Sequence, residues 1–174
     1  MNKDLCWVKT ILTVYRYLER ICGAIDKIIM KSAMGSSNIV GQNYFYNNVF
    51  TISQKIIDLS ERKVTLINLK LLIENSLSQI DEKDAQLLIE KYVDGLKNKN
   101  MADNLNVGLR TIFRRIDSAE MSLKSKLSAK GYNDEKLKCM LKNEAWIINT
   151  YNIIASKNED VELSNAYLDK AVMM

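Results

Sequence analysis

The stretch that decides the fold runs from Asn98 to Leu127, NKNMADNLNVGLRTIFRRIDSAEMSLKSKL. It predicts two short helices joined by a tight turn, because two crossed helices bury small and apolar residues where they meet. Ala102 lies where only a small side chain lets the second helix approach, and Asn106 lies at the turn, where the backbone needs a residue that tolerates positive φ. Apolar side chains then recur at helical spacing and predict the buried stripe of the second helix: Ile112, Ile116, Ala119 and Leu123.

The opposite side of the second helix is basic. With the stripe buried, Arg110, Phe113, Arg114 and Asp117 are expected to point away from the protein, with Thr111 and Arg115 on the flanks. Arg110 and Arg114 are one turn apart, so both can reach into a groove. From Leu96 to Lys130 there are eight Lys/Arg and three Asp/Glu, a net charge of +5, whereas the whole chain carries +4. The excess positive charge is therefore concentrated here.

Residues 100–115, NMADNLNVGLRTIFRR, resemble the fourth conserved region of bacterial sigma factors. They are more similar to the small sigma-like regulators of Gram-positive phages and prophages, of the ArpU and RinA type. The resemblance covers about Ile80 to Leu127, with Gly108 in place of the usual capping Ser and Asn106 in place of the turn Gly. It implies a helix-turn-helix that binds double-stranded DNA, and it makes RNA polymerase a further expected partner.

In this interpretation the second helix reads bases with its N-terminal residues, and arginine can bind guanine through two hydrogen bonds. Arg110 and Arg114 would contact base edges, while Lys99, Lys124 and Lys126 would contact phosphates. The other residues expected at DNA are Gly108, Leu109, Thr111, Phe113 and Arg115. The plainer alternative is a helical bundle in which the basic side of this helix is only a solvated face.

Length and composition predict helices throughout. The chain has 174 residues, no proline and six glycines, and no run that alternates with the period of a strand. No apolar run approaches the roughly 18–20 residues needed to cross a bilayer. The N-terminus, MNKDLCWVKT, lacks the features of a signal peptide, so we expect a cytoplasmic protein with no membrane partner.

The residues that usually carry catalysis or bind metals are scarce. Histidine is absent, which removes the commonest general base and zinc ligand. The three cysteines, Cys6, Cys22 and Cys139, have no metal-ligand spacing, and the glycines form no phosphate-binding loop. We therefore expect no enzymatic activity, no catalytic residues, no bound metal and no cofactor.

Two long helices are predicted before this module. Asp4–Met34 forms the first, and a capping box at Thr51 and Gln54 starts a second that runs to about Gln79. They are expected to fold back as an antiparallel hairpin over residues 1–80, whose exposed seam could pair with a second copy or another protein. Residues expected to widen the buried stripes are Ile28, Ile57, Val64 and Leu71.

The aromatic segment between the two long helices, residues 38–50, allows two interpretations. Its aromatic side chains could stack on single-stranded bases, or they could form a loop that plugs the end of the hairpin. The loop is favoured, because the segment has no Lys or Arg and a strand-binding groove needs positive charge.

The remaining chain is expected to form two further parts. Residues 81–130 would be the DNA-binding domain, with Asp81 capping a support helix that reaches about Asp94 and ends at Gly95. Residues 131–174 would be a C-terminal extension. In it, Asn133 caps one helix over residues 134–156, and a short helix follows at 163–173.

The predicted architecture is thus all-α: a long antiparallel hairpin, a helix-turn-helix module and a C-terminal helix. The leading hypothesis is a sequence-specific DNA-binding transcription regulator of phage or prophage type. The alternatives are a complete small sigma factor that binds core RNA polymerase, a non-enzymatic helical interaction protein, or the DNA-recognition subunit of a phage packaging machine.

Overall fold

The computed structural model describes residues 5–35 and 42–156, with side chains described over 5–34 and 49–156. All seven elements in these ranges are α-helices, which confirms the all-α prediction. They are α1 (Cys6–Gly35), α2 (Gln42–Leu77), α3 (Glu82–Tyr92), α4 (Asn98–Asn104), α5 (Leu109–Ala129), α6 (Asp134–Leu141) and α7 (Ala145–Ser156). Within the described ranges, no helix is both long enough and apolar enough to cross a membrane.

The chain divides into two units. Over the described ranges the larger unit comprises residues 5–16 and 71–156, and the smaller unit comprises residues 17–70. The domain boundaries expected from the sequence, after residues 80 and 130, remain predictions. Each unit has its own set of buried side chains, so each is described separately.

The smaller unit is built from parts of α1 and α2. Two ion pairs join these helices: Lys63 Nζ lies 2.6 Å from Asp26 Oδ1, and Lys70 Nζ lies 3.3 Å from Glu19 Oε2. The lysine later in α2 pairs with the acidic residue earlier in α1, which is the order expected for antiparallel helices. The residues that would connect α1 to α2, 36–41, lie outside the described part, so the hairpin remains a prediction. The buried side chains of this unit are Tyr17, Leu18, Ile21, Ile25, Leu66 and Leu69.

The segment before the second long helix was predicted wrongly. Residues 42–50 belong to α2 rather than to a loop, and Thr51 lies inside the helix rather than at its cap. No glycine or proline interrupts residues 42–77, so nothing in the local sequence stops the helix there. The part of the predicted loop at residues 38–41 lies outside the described residues.

Several apolar residues expected to be buried beside the helical seams are exposed. Ile57, Val64 and Leu71 are 50%, 55% and 49% exposed, and Ile28 is 44% exposed. The inner side of each helix is already occupied by its own buried residues. These four therefore lie at the margin or on the outer side of the stripe.

The larger unit buries most of the apolar side chains. α1 contributes Trp7, whose ring stacks on Tyr151 of α7 with ring centroids 4.4 Å apart. The predicted start of α3 is confirmed, because the Asp81 side chain accepts a hydrogen bond of 2.9 Å from the Lys83 backbone amide. α3 buries Leu87 and Leu88. The predicted cap of α6 is also confirmed, because Asn133 Oδ1 accepts from the Lys136 amide at 2.9 Å.

The single helix predicted over residues 134–156 is wrong, because it is broken between Leu141 and Ala145. Buried Glu144 occupies the break, and its backbone carbonyl accepts the amides of Ile147 and Ile148 at 2.9 and 3.1 Å. Its carboxylate accepts a hydrogen bond of 2.8 Å from Trp146 Nε1. Glu144 therefore starts α7, and its paired side chain lets the chain turn while both Leu141 and Ile147 stay buried. The short helix predicted at 163–173 lies outside the described residues.

Candidate nucleic-acid interface

Three helices of the larger unit share one apolar cluster. Both α3 and α4 pack on α5. The cluster is formed by Leu87 of α3, Met101 and Ala102 of α4, and Ile112 and Ile116 of α5, with Leu96 and Val107 packed against it. Ala102 is 5% exposed, as expected for the small residue at a close helix crossing. The cluster fixes α5 on its support helix.

The turn between α4 and α5 is held by backbone hydrogen bonds. Asn106 has φ of 50°, which confirms the prediction of a positive φ at this position. The Asn106 amide donates to the Asp103 carbonyl at 3.2 Å, and the Val107 amide donates to the Ala102 carbonyl at 3.0 Å. This pair of bonds is the Schellman motif, and the contact of Val107 with the apolar cluster completes it. The turn therefore sets the direction in which α5 leaves α4.

The inner face of α5 agrees with the predicted stripe. Ile112, Ile116, Ala119 and Leu123 are each at most 1% exposed, which confirms the four predicted positions, and Leu127 continues the stripe. The helix ends at Ala129. A second Schellman pair closes it, because the Gly131 amide donates to Ser128 at 2.9 Å and the Tyr132 amide donates to Leu127 at 2.9 Å.

The outer face of α5 presents arginines to solvent. Arg110, Arg114 and Arg115 are all exposed. Within the part of the chain that the structure describes, no acidic side chain pairs with any of the three. Asp117, predicted to lie on the same side, is also exposed. The arginines are thus available to an anion from outside the chain.

The other residues expected at DNA fall into two groups. Lys99, Gly108, Leu109 and Thr111 are exposed, whereas Phe113, Lys124 and Lys126 are half-buried. Phe113 was expected to point away from the protein, and this part of the prediction is wrong. Its position lies only three residues from Ile116, so its ring is carried toward the margin of the buried stripe.

The N-terminus of α5 lacks the capping side chain and the first-turn acidic residues that stabilise the starts of α3 and α6. Gly108 is its N-cap with no side-chain hydrogen bond, and its first turn contains no acidic residue. The first backbone N–H groups of a helix have no partner within the helix and carry partial positive charge. Because Arg110 lies in this turn, cationic charge is placed where the helix dipole is already positive.

Sequence reasoning missed a buried polar cluster beneath α5. Glu120 is fully buried, accepts a hydrogen bond of 2.5 Å from the Tyr92 hydroxyl, and lies 3.4 Å from Lys9 Nζ. Lys9 is close enough for an ion pair but is not aligned as a hydrogen-bond donor, so Oε2 accepts no hydrogen bond from the described residues. The one available signal was that Glu120 lies four residues after Ile116 and three before Leu123.

Burial dominates the titration of this cluster. It raises the pKa of Glu120 above its ordinary value, although the Lys9 charge and the Tyr92 hydrogen bond act in the opposite direction. Burial, followed by the Glu120 charge, holds the pKa of Tyr92 well above its ordinary value. Tyr92 therefore stays protonated and keeps its hydrogen bond to Glu120. The cluster connects α1, α3 and α5 from the inner side and leaves the arginine face free.

A second polar contact anchors the far end of α5. Lys130 Nζ donates to the Asn75 carbonyl at 2.8 Å and to Ser76 Oγ at 3.2 Å. Lys130 was counted in the basic stretch from the sequence, but its ammonium group donates these hydrogen bonds within the protein. The freely exposed cations therefore concentrate toward the N-terminal half of α5.

No family model, no curated protein and no solved structure matches this chain.

Proposed function

We propose that this protein is a sequence-specific DNA-binding transcription regulator that reads duplex DNA with α5. The observation that carries the proposal is the exposure of Arg110 and Arg114 on the side of α5 opposite its buried stripe. An α-helix fits the major groove of B-form DNA, where arginine can donate two hydrogen bonds to the O6 and N7 atoms of guanine. One turn of helix separates the two arginines, so they can address neighbouring base pairs.

The start of α5 supports this orientation. In helix-turn-helix proteins the N-terminal residues of the second helix contact base edges, while the preceding helix crosses the DNA backbone. Uncapped backbone amides at the N-terminus of α5 and the exposed side chain of Thr111 offer donors for a phosphate. Lys99 on α4, also exposed, is assigned to the phosphate backbone. We further assign Lys124 and Lys126 to phosphates, although both are half-buried.

The support for a rigid docking geometry comes from the inner side. The apolar cluster, the Schellman turn at Asn106 and the Glu120 cluster each fix α5 relative to α3 or α4. Base recognition needs this rigidity, because a misplaced arginine loses its two-pronged geometry. The resemblance to sigma-like regulators of phages and prophages agrees with this use of α5, and RNA polymerase stays a predicted partner.

The test starts with selection of bound duplexes from a random pool, followed by affinity measurements on the selected duplex and a scrambled one. We expect tight binding to the selected duplex, and binding to both that weakens steeply as salt rises from 50 to 200 mM, since phosphate contacts release counterions. Failure to enrich any sequence, with no binding at either salt, would leave an interaction protein as the better interpretation.

A matched pair of variants then tests α5 itself. Arg110→Ala combined with Arg114→Ala should abolish the preference for the selected duplex. Lys138→Ala combined with Lys142→Ala removes two exposed cations from α6 and its C-terminal end and should leave the preference unchanged. Equal losses in the two proteins would show that only overall charge matters and would reject α5 as the reading helix.

A further inference from the structure

The outer surface of the smaller unit is unusually apolar for a surface without a partner. Of the eleven large hydrophobic residues exposed in the described part of the chain, seven lie between Ile28 and Ile67. No side chain is buried in residues 26–34 or 49–65. Two helices alone cannot shield apolar groups on both their inner and outer sides, and large exposed apolar patches mark interaction sites.

α1 carries a face that combines methionines with positive charge. Lys27, Met30, Lys31 and Met34 follow the spacing of one helix face, and Met30 and Met34 are 59% and 66% exposed. No acidic residue occurs between positions 27 and 34. We call this surface the basic face.

α2 carries a face of opposite charge. Phe50, Ile57 and Val64 recur every seven residues and are 73%, 50% and 55% exposed, and Asp58 and Glu61 lie beside them. We call these five residues the acidic face. Two exposed basic residues, Lys55 and Arg62, lie three positions before and four positions after Asp58 and border this face, whereas Lys63 lies on another side of α2 and pairs with Asp26.

The charges of both faces are available to a partner. In the described residues no ion pair joins Lys27 or Lys31 to an acid, or Asp58 or Glu61 to a base; Asp58 accepts only a hydrogen bond from Gln54. By contrast, other charges of the same two helices pair with each other, Asp26 with Lys63 and Glu19 with Lys70. Ion pairs thus join α1 to α2 within the unit, whereas the lysines of the basic face and the carboxylates of the acidic face have no ion-pair partner among the described residues.

We propose that copies of this chain self-associate through the smaller unit, with the basic face of one copy packed on the acidic face of its neighbour. Methionine side chains adapt to the apolar groups they meet, so Met30 and Met34 can pack on Ile57 and Val64. Lys27 and Lys31 then pair with Asp58 and Glu61. A one-way contact of this kind joins two different patches of the same chain and is therefore heterologous.

The experiment uses two charge-reversed full-length proteins and needs no DNA. One carries Lys27→Glu and Lys31→Glu, and the other carries Asp58→Lys and Glu61→Lys. We expect sedimentation to show that the wild-type mass rises above the monomer mass of 20.0 kDa as concentration increases. Each variant alone should associate more weakly by at least about 10-fold, because like charges then face each other.

The decisive arm is an equimolar mixture of the two variants, which restores opposite charges across the contact and should restore association. Circular dichroism checks that both variants keep the wild-type helix content; the substituted side chains are exposed, so we expect no change. A wild-type protein that stays monomeric at all concentrations overturns the proposal, as does association that charge reversal leaves unchanged. A mixture that stays monomeric overturns it too.

Discussion

The two faces of α5 obey different rules. Packing alone explains its inner face, because every apolar residue of the stripe is buried. The one polar residue among them, Glu120, contacts Tyr92 and Lys9. Its outer face contains features that do not stabilise a helix. Three arginines are exposed, Arg110 lies in the first turn, where the helix dipole is positive, and Gly108 provides no side-chain cap. α3 and α6 each start with a side-chain cap and two acidic residues. The inner face of α5 thus serves folding, and the exposed arginines with the uncapped start agree with the proposal that the outer face binds DNA.

The largest expected effect is on the inner face. Ile116→Ala should lower the free energy of unfolding by about 2–5 kcal/mol, because it removes buried methyl groups and leaves a cavity between α3, α4 and α5. Denaturant titration measures the loss. Ser118→Ala, an exposed change on the same helix, is the control and should change stability by less than about 0.5 kcal/mol. Similar values for both variants would contradict the division of α5 into two faces.

The next effect is on the outer face. Arg110→Ala should cost about 1–3 kcal/mol of discrimination between the selected duplex and a duplex with one guanine replaced, while stability changes little. Lys99→Ala should weaken binding to both duplexes by similar factors, because phosphate contacts carry no sequence information. Competition binding on the two duplexes measures both. If Lys99→Ala costs as much discrimination as Arg110→Ala, the assignment of base and phosphate contacts is wrong.

A smaller effect concerns the carboxylate below α5. The pKa of Glu120 in the folded protein is raised above its ordinary value of about 4.5, so the folded state binds this proton more tightly than the unfolded state does. Stability from this group is therefore highest below pH 4.5 and falls as pH rises toward the raised value, by at most about 1.4 kcal/mol per pH unit. Above the raised value it is constant.

Comparison with Glu120→Gln isolates this contribution, because glutamine keeps an oxygen that can accept the Tyr92 hydrogen bond and cannot titrate. The stability of wild type minus that of the variant should be highest below pH 4.5 and should fall as pH rises toward the raised pKa. Above that pKa it should stay constant. A difference that is independent of pH would mean that Glu120 titrates as it does in the unfolded chain.

The smallest expected effect is at Gly108, the N-cap of α5. Gly108→Ser should stabilise the protein by a few tenths of a kcal/mol, since serine is a better N-cap than glycine. Gly108→Asp should stabilise α5 in a similar way but weaken DNA binding, because its carboxylate would face the phosphates. Thermal unfolding and duplex affinity, measured on both variants, separate the two effects. Equal affinity of the Ser and Asp variants would argue against a phosphate near this cap.

Sequence alone predicted the parts of the fold that depend on neighbouring residues. The stripe of α5, the caps at Asp81 and Asn133, and the left-handed Asn106 all follow from spacing and local backbone preference, and the structure confirms them. The exposure of Arg110 and Arg114 followed from the same periodicity. Their use in binding DNA remains a proposal.

The misses depend on contacts from distant parts of the chain. Glu120 is buried because Lys9 and Tyr92 meet it, and periodicity within α5 cannot reveal partners on α1 and α3. The break at Glu144 is an exception, because the partner of its carboxylate is Trp146, only two residues away, and Leu141 and Ile147 stay buried on either side of it. The exposure of Ile57 and Val64 depends on how much apolar surface α1 can cover, which the spacing of α2 does not contain.

The stack of Trp7 on Tyr151 also gives the molecule an intrinsic optical probe. The chain has two tryptophans, and both Trp7 and Trp146 belong to the larger unit. Emission from indole therefore reports the melting of that unit, while residues 17–70 contribute no indole signal at all. If the two units unfold at different temperatures, emission and far-ultraviolet circular dichroism will follow separate curves, and no label is needed to tell them apart.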